Sequence, residues 1–307
     1  MIIHEEANIM IMRVTNGIST EFGYYPKSYN VDTERFSVET LKSFEHSITK
    51  VENSPNVYNC WIYEGKIPPE RIFNLPKTHL LTLKNSKDND DLPFVVWCLS
   101  FFTGMRLTTT ECGFLDATPI QPEKLVDFIL RGCALEDVIN LALDYLESEK
   151  DDSLASKRVA AAIHCLFLAQ YPKSLQFEKF HYLYMALDTC YKLVESKSKP
   201  KQKPNHTQRV EWTCTKLGIP IPSWAKTKSD ISEIRNNAIH EALFGGEPLG
   251  FSLHGKTNLN NLNIIIEMQN LICRLLVSIL GKPEIDYVKT PVNTLQIEPL
   301  KLNSYRK

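Results

Sequence analysis

Arg235-Asn236-Asn237-Ala238-Ile239-His240 places a permanent cation, an amide and a titratable imidazole within six residues. A guanidinium holds a phosphate through two parallel hydrogen bonds. An imidazole moves protons near neutral pH. These groups are the minimum equipment for cutting RNA without a metal. Asn236 and His240 are four apart and share one face of a helix. Arg235 lies roughly 140° round from His240 on a regular helix. Its long side chain spans part of that angle, and one irregular turn would close the rest. The plain alternative is a surface arginine beside a packed helix histidine. No acid stands three or four positions from Arg235, so a salt bridge would need a partner from elsewhere in the fold. With eight histidines in the chain the bare spacing arises often by chance. On spacing alone the balance falls on the plain reading.

The hexad sits in a helical pattern. Asp230-Ile231-Ser232-Glu233 has the form of a capping box, with Asp230 as N-cap, and the helix it opens runs to about Phe244, where Gly245-Gly246 stops it. Leu154 to Gln170, Phe180 to Glu195, Thr207 to Leu217 and Leu259 to Leu280 repeat apolar residues at the spacing of one helix face. In the last of these Ile264, Ile265, Met268, Leu271, Ile272, Leu275, Leu276 and Ile279 form the stripe. The second half is therefore a bundle of about five helices. The first half is mixed. Val57 to Tyr63 and His79 to Leu83 favour strands, and Pro93 to Met105 is a buried helix or a core strand. Pro119 to Glu149 reads as helix with a break at Gly132. The predicted class is α+β: a mixed domain over 1–153, a helical bundle over 154–285 and an extended tail over 286–307. There is no internal repeat.

The net charge is only -1, which argues against a dedicated nucleic-acid coat. Residues 1–153, however, carry 14 Lys+Arg against 24 Asp+Glu, and residues 154–307 carry 21 against 12. Either this is compositional drift or only the second half meets an anionic partner. The eight cysteines show no metal-binding spacing and read as small buried hydrophobes in a reducing compartment. No signal peptide or membrane-spanning run is evident, so the sequence predicts a cytoplasmic protein without a membrane partner. Glycine-rich phosphate loops, HExxH and GxSxG are absent from the sequence, so no cofactor or metal is expected.

The run Arg235-Asn236-x3-His240 resembles the RNxxxH signature of HEPN-domain ribonucleases. Phe180 to Asp188 is similar to the aromatic-rich first helix of that domain. Thr207 to Trp224 and His240 to Gly250 resemble the segments before and after the motif in the ApeA-like branch. The likeness covers about residues 154–282. It implies a metal-independent RNA endonuclease used in antiviral defence, abortive infection or as a toxin, acting as a homodimer with both motifs in one cleft. Scission by the 2′-hydroxyl needs a base on one side of phosphorus and an acid on the other, and one His240 cannot stand in both places. A two-fold axis supplies the second. Arg235 would hold the non-bridging oxygens and Asn236 would orient the imidazole or a phosphate oxygen. Some relatives of this kind carry a tyrosine shortly after the histidine; here Glu241, Ala242 and Leu243 follow, which puts regulation by modification there in doubt.

Other residues carry weaker signals. Lys197, Lys199, Lys201 and Lys203 form a basic loop that either steers RNA or is a solvated linker, the latter being favoured. Trp212 and Trp224 could stack on bases, with core packing favoured. His181 and His254 could carry protons but read first as structural. The N-terminal half would hold a trigger or an inhibitor. The alternative to an enzyme is a non-catalytic HEPN-type module that binds RNA or protein.

Overall fold

The computed structural model describes residues 17–63, 72–73, 75–109, 112–113, 117–132, 134–200, 202–226, 230–244, 246–249 and 260–302. The architecture is mixed α+β, strand-rich first and helical afterwards. β1 (Ile18–Phe22), β2 (Val31–Asp32), β3 (Phe36–Thr40), α1 (Phe44–Glu52), β4 (Val57–Tyr58), β5 (Trp61–Tyr63), β6 (Ile72–Phe73) and β7 (His79–Leu83) open the chain. One antiparallel sheet runs in the order β1-β7-β3-β2, with Ile18 opposite Leu83 and Phe36 opposite the same residue on the other side. Val57 to Tyr63, expected as one strand, is a tight hairpin. Asn59 and Cys60 both take positive φ, and β5 then pairs with Ala117–Pro119.

α2 (Asp91–Thr103) settles the ambiguity of the Pro93 to Met105 run. It is buried almost all round, so no helical period was visible. Gly104 ends it in the left-handed region. A Cβ there would lie 2.8 Å from the Cα of Glu123, so no other residue fits without a shift. β8 (Cys112–Gly113), β9 (Ala117–Pro119), β10 (Phe128–Leu130) and α3 (Leu135–Ser148) follow. Of the expected Pro119 to Glu149 helix, only Leu135–Ser148, rather less than half, is therefore helical among the described residues. Phe128 to Leu130 pairs instead, in parallel, with a strand from the end of the chain.

The second half holds α4 (Ala155–Leu168), α5 (Gln176–Lys197), α6 (Arg209–Leu217), α7 (Asp230–Asn236) and α8 (Asn260–Ile279). α5, about 33 Å long, packs against α4, α6 and α8. All eight residues of the predicted α8 stripe are buried, as are Val159, Ala162, Ile163, Leu166 and Phe167 of α4. The predicted boundary near 153 falls in the turn before α4, and one apolar core runs through it. The segment beyond 285, expected as extended, makes a 3-10 turn at Asp286–Lys289. It then returns as β13 (Glu298–Leu300) to pair with β10. Arg274, fully buried in α8, fixes this return. Its guanidinium meets Asp127 at 2.7 Å, Thr290 O at 3.0 Å and Pro291 O at 3.0 Å, while Tyr287 donates to the same carboxylate. No helix among the described residues is long and apolar enough to cross a membrane.

Candidate functional site

α7 is only seven residues long. It passes directly into a π turn, Asn237–Glu241, closed by the Ala242 amide donating to the Asn237 carbonyl. The helix thus stops at Glu241, short of the expected Phe244, because Ala242 takes a left-handed φ of 55°. Leu243–Phe244 then forms a two-residue strand (β11) against Glu247–Pro248 (β12). The orientation of this helix is set by burial. Ile231 and Ala238, seven apart, point into the core, and Phe244 packs on Phe180 of α5 at 5.6 Å between ring centres. The capping residue expected at Asp230 is itself the first helical residue; its predecessor lies outside the described residues.

The hexad's polar side chains are at the surface. Asn236 and His240 are exposed and Arg235 is half-buried. The packed-histidine reading is therefore not what the fold adopts. The π turn is the irregular turn that the angular argument asks for, since a wider turn carries residues five apart closer to one face. Arg235 Nη1 donates to Asn236 Oδ1 at 3.0 Å, and its guanidinium carbon stands 6.0 Å from the centre of the Tyr184 ring. Among the described residues no carboxylate pairs with Arg235, whereas Arg35, Arg158, Arg209 and Arg274 each have one. A half-exposed, uncommitted guanidinium is available to an anion.

α5 supplies the floor. Its first turn is held by Glu178, whose carboxylate accepts from the Leu175 amide at 2.7 Å. His181, Tyr184 and Asp188 lie at the i, i+3, i+7 spacing of one face. The Tyr184 hydroxyl bonds to buried Ser232 of α7, and burial, then Asp188, push its pKa up while Arg235 opposes. His181 bonds to the Phe177 backbone, and its buried Nε2 has no partner among the described residues. Burial lowers its pKa, with Arg235 adding in the same direction. His206, just before α6, is lowered by loss of water around its ring and then by Arg209 and Arg235. For both imidazoles the shift favours the neutral ring. Arg209 is committed: its Nη1 reaches both oxygens of Asp188, at 2.9 and 3.0 Å.

The lysine loop divides. Lys197 is the last residue of α5. It is spent on the other half of the chain, 2.5 Å from Glu149 and 5.1 Å from the centre of the Tyr145 ring. Lys199 and Lys203 are exposed, and Lys201 lies outside the described residues, as does His254. The tryptophans divide too. Trp224 is core, 5% exposed, with its N–H on Glu267 at 2.8 Å. Trp212 is half-exposed. Tyr184, which sequence periodicity assigns to the buried stripe of α5, is instead at its edge. The i, i+3, i+7 run of polar groups beside that stripe was the available signal for the floor of the site. Among the described residues no three His, Cys, Asp or Glu side chains are grouped to hold a metal ion. No known protein family, curated protein or solved structure matches this chain.

Proposed function

We propose that the chain is a metal-independent RNA endonuclease of HEPN type, a cytoplasmic effector of antiviral or toxin kind, with Arg235, Asn236 and His240 as its working groups. The observation that carries this reading is the switch from α to π winding within the hexad. It accompanies an exposed imidazole and, five residues before it, a guanidinium that pairs with no carboxylate among the described residues, whereas Arg158, Arg209 and Arg274 of the bundle each do. In the reaction the substrate's 2′-hydroxyl loses its proton to one imidazole and attacks phosphorus. Arg235 holds the non-bridging oxygens as negative charge grows, and a second imidazole protonates the departing 5′-oxygen. The products are a cyclic phosphate and a free 5′-hydroxyl.

The second imidazole comes from a second copy of the chain. Two exposed apolar side chains support a partner at this face. Ile239, directly before His240, and Met185, on α5 beside Tyr184, are each 50% exposed. A two-fold neighbour would cover both. The N-terminal half would trigger or restrain the enzyme.

The test compares wild type, Arg235→Ala and His240→Ala on total RNA. Wild type should yield fragments ending in cyclic phosphate, with or without a chelator, and both variants should not. Identical behaviour of the three proteins, or a strictly monomeric wild type in sedimentation, would leave a non-catalytic binding module as the better reading.

A further inference from the structure

We propose that a notch beside Trp212 is a nucleobase subsite for single-stranded RNA, an inference that rests on the RNA reading above. The notch has a volume of about 380 Å³ and is lined by Gln202, Lys203, Gln208, Glu211 and Trp212, among others. That is the small end of ligand-pocket size. Trp212 is held edge-on against buried Tyr191, with ring centres 5.6 Å apart, and Lys216 stands 5.8 Å over it. Among the described residues its indole N–H has no hydrogen-bond partner, in contrast to that of Trp224. A half-exposed indole clamped from one side is a stacking platform, and stacking accepts any base.

The polar lining narrows the choice. Gln208 accepts from the Asn205 amide through its side-chain oxygen, at 3.2 Å, which turns its NH2 outward as a donor. Glu211 has no ion-pair partner among the described residues. A carboxylate in the notch repels phosphate and accepts from an exocyclic amino group. The notch therefore takes a base, and takes cytosine, adenine or guanine before uracil.

The subsite is joined to the cleavage site through α5. Arg209 stands 5.0 Å over the Tyr191 ring and is bound to Asp188. Tyr184, under Arg235, is four residues before Asp188. Tyr184 and Tyr191 are seven residues apart, about 10 Å along the helix. Lys192, exposed beside Tyr191, flanks this path. A strand anchored at Trp212 thus reaches Arg235 within a few nucleotides, and the notch selects a nucleotide near the cut.

The experiment uses the full chain carrying His240→Ala, so that substrate survives. Labelled single-stranded RNAs of roughly ten nucleotides, made of cytidine, adenosine or uridine alone, are titrated by anisotropy. Adding Trp212→Ala should weaken binding about ten- to hundredfold. Trp212→Phe should restore it, and Glu211→Gln should flatten the preference for cytidine over uridine. Should Trp212→Ala fail to fold, the base preference of Glu211→Gln decides. Equal affinity with and without the indole overturns the subsite, as does the absence of binding to every RNA. Indole-dependent binding by a chain whose wild type never cleaves overturns the nuclease reading and leaves the subsite standing.

Discussion

Arg235 differs from its fellow arginines by what it lacks. Arg209, a short distance along the same face, is tied to Asp188 by two contacts and cannot swing to a phosphate without stranding a carboxylate. Among the described residues, Arg235 has a neighbouring amide and an aromatic ring but no carboxylate. Replacing it with lysine keeps the charge and loses the planar fork. We expect Arg235→Lys to cleave about 10²- to 10³-fold more slowly, as loss of one transition-state donor does. Binding should change much less, read as kcat against KM on a defined RNA. The hexad was legible because residue types and spacing are written in the chain. Which cations are spent was not. Lys197 has the composition of a steering residue, yet its partner Glu149 lies just past the end of α3, and only the fold brings them together. Among the described residues, four ion pairs join a cation of residues 154–307 to a carboxylate of residues 1–153: Lys157–Asp90, Arg158–Asp152, Lys197–Glu149 and Arg274–Asp127. Part of the charge asymmetry between the halves is internal neutralisation.

At the scale of elements, period and length carried the reading where one face alone was buried. The stripes of α4 and α8 are where the spacing puts them. The reading failed where pairing is remote. Leu125, Val126, Ile129 and Leu130 fit a helical period, but a strand from beyond residue 297 competes for Phe128–Leu130 and wins. Arg274 illustrates the same limit: a charge in an apolar stripe looks like an interruption and is the tie for that remote strand. We expect Arg274→Met to cost about 3–5 kcal/mol, since it leaves Asp127 without its cation in a largely buried place. Urea denaturation measures this, and a loss below 1 kcal/mol would contradict it. The π turn offers a test of opposite sign. Ala242 holds φ at 55°, where a Cβ is unwelcome. Ala242→Gly keeps the amide that closes the turn and should raise stability by about 0.5–1 kcal/mol without loss of cleavage.

The described residues fold around one continuous core, and a histidine is buried in it beside the hydrocarbon. His79 is fully buried on β7, stacked on Phe22 at 5.4 Å, edge-on to Phe44 and bonded to Thr78 Oγ1 at 2.9 Å. Burial pulls its pKa down to about 4, against a hydrogen bond with the Lys27 backbone that works the other way. His164, stacked on Trp97 at 5.3 Å, is also lowered to about 4, by burial and then by Arg106. The sign follows from proton counting. Unfolded, each ring takes up a proton near pH 6.5; folded, neither does until pH approaches 4. Between these values the unfolded state binds more protons, so stability falls as pH drops from about 6.5 to about 4 and levels off below. For His79 the loss is at most about 3 kcal/mol. His164, only partly buried, adds less, and His181 and His206 shift in the same direction. A pH series of denaturant midpoints should therefore slope steeply through this window. His79→Phe, placed in the same aromatic pocket, should remove the largest part of the slope. A midpoint that stays level from pH 7 to pH 4.5 in the wild type would mean that His79 takes up its proton in the native state, and that the pocket opens to water well before the chain unfolds.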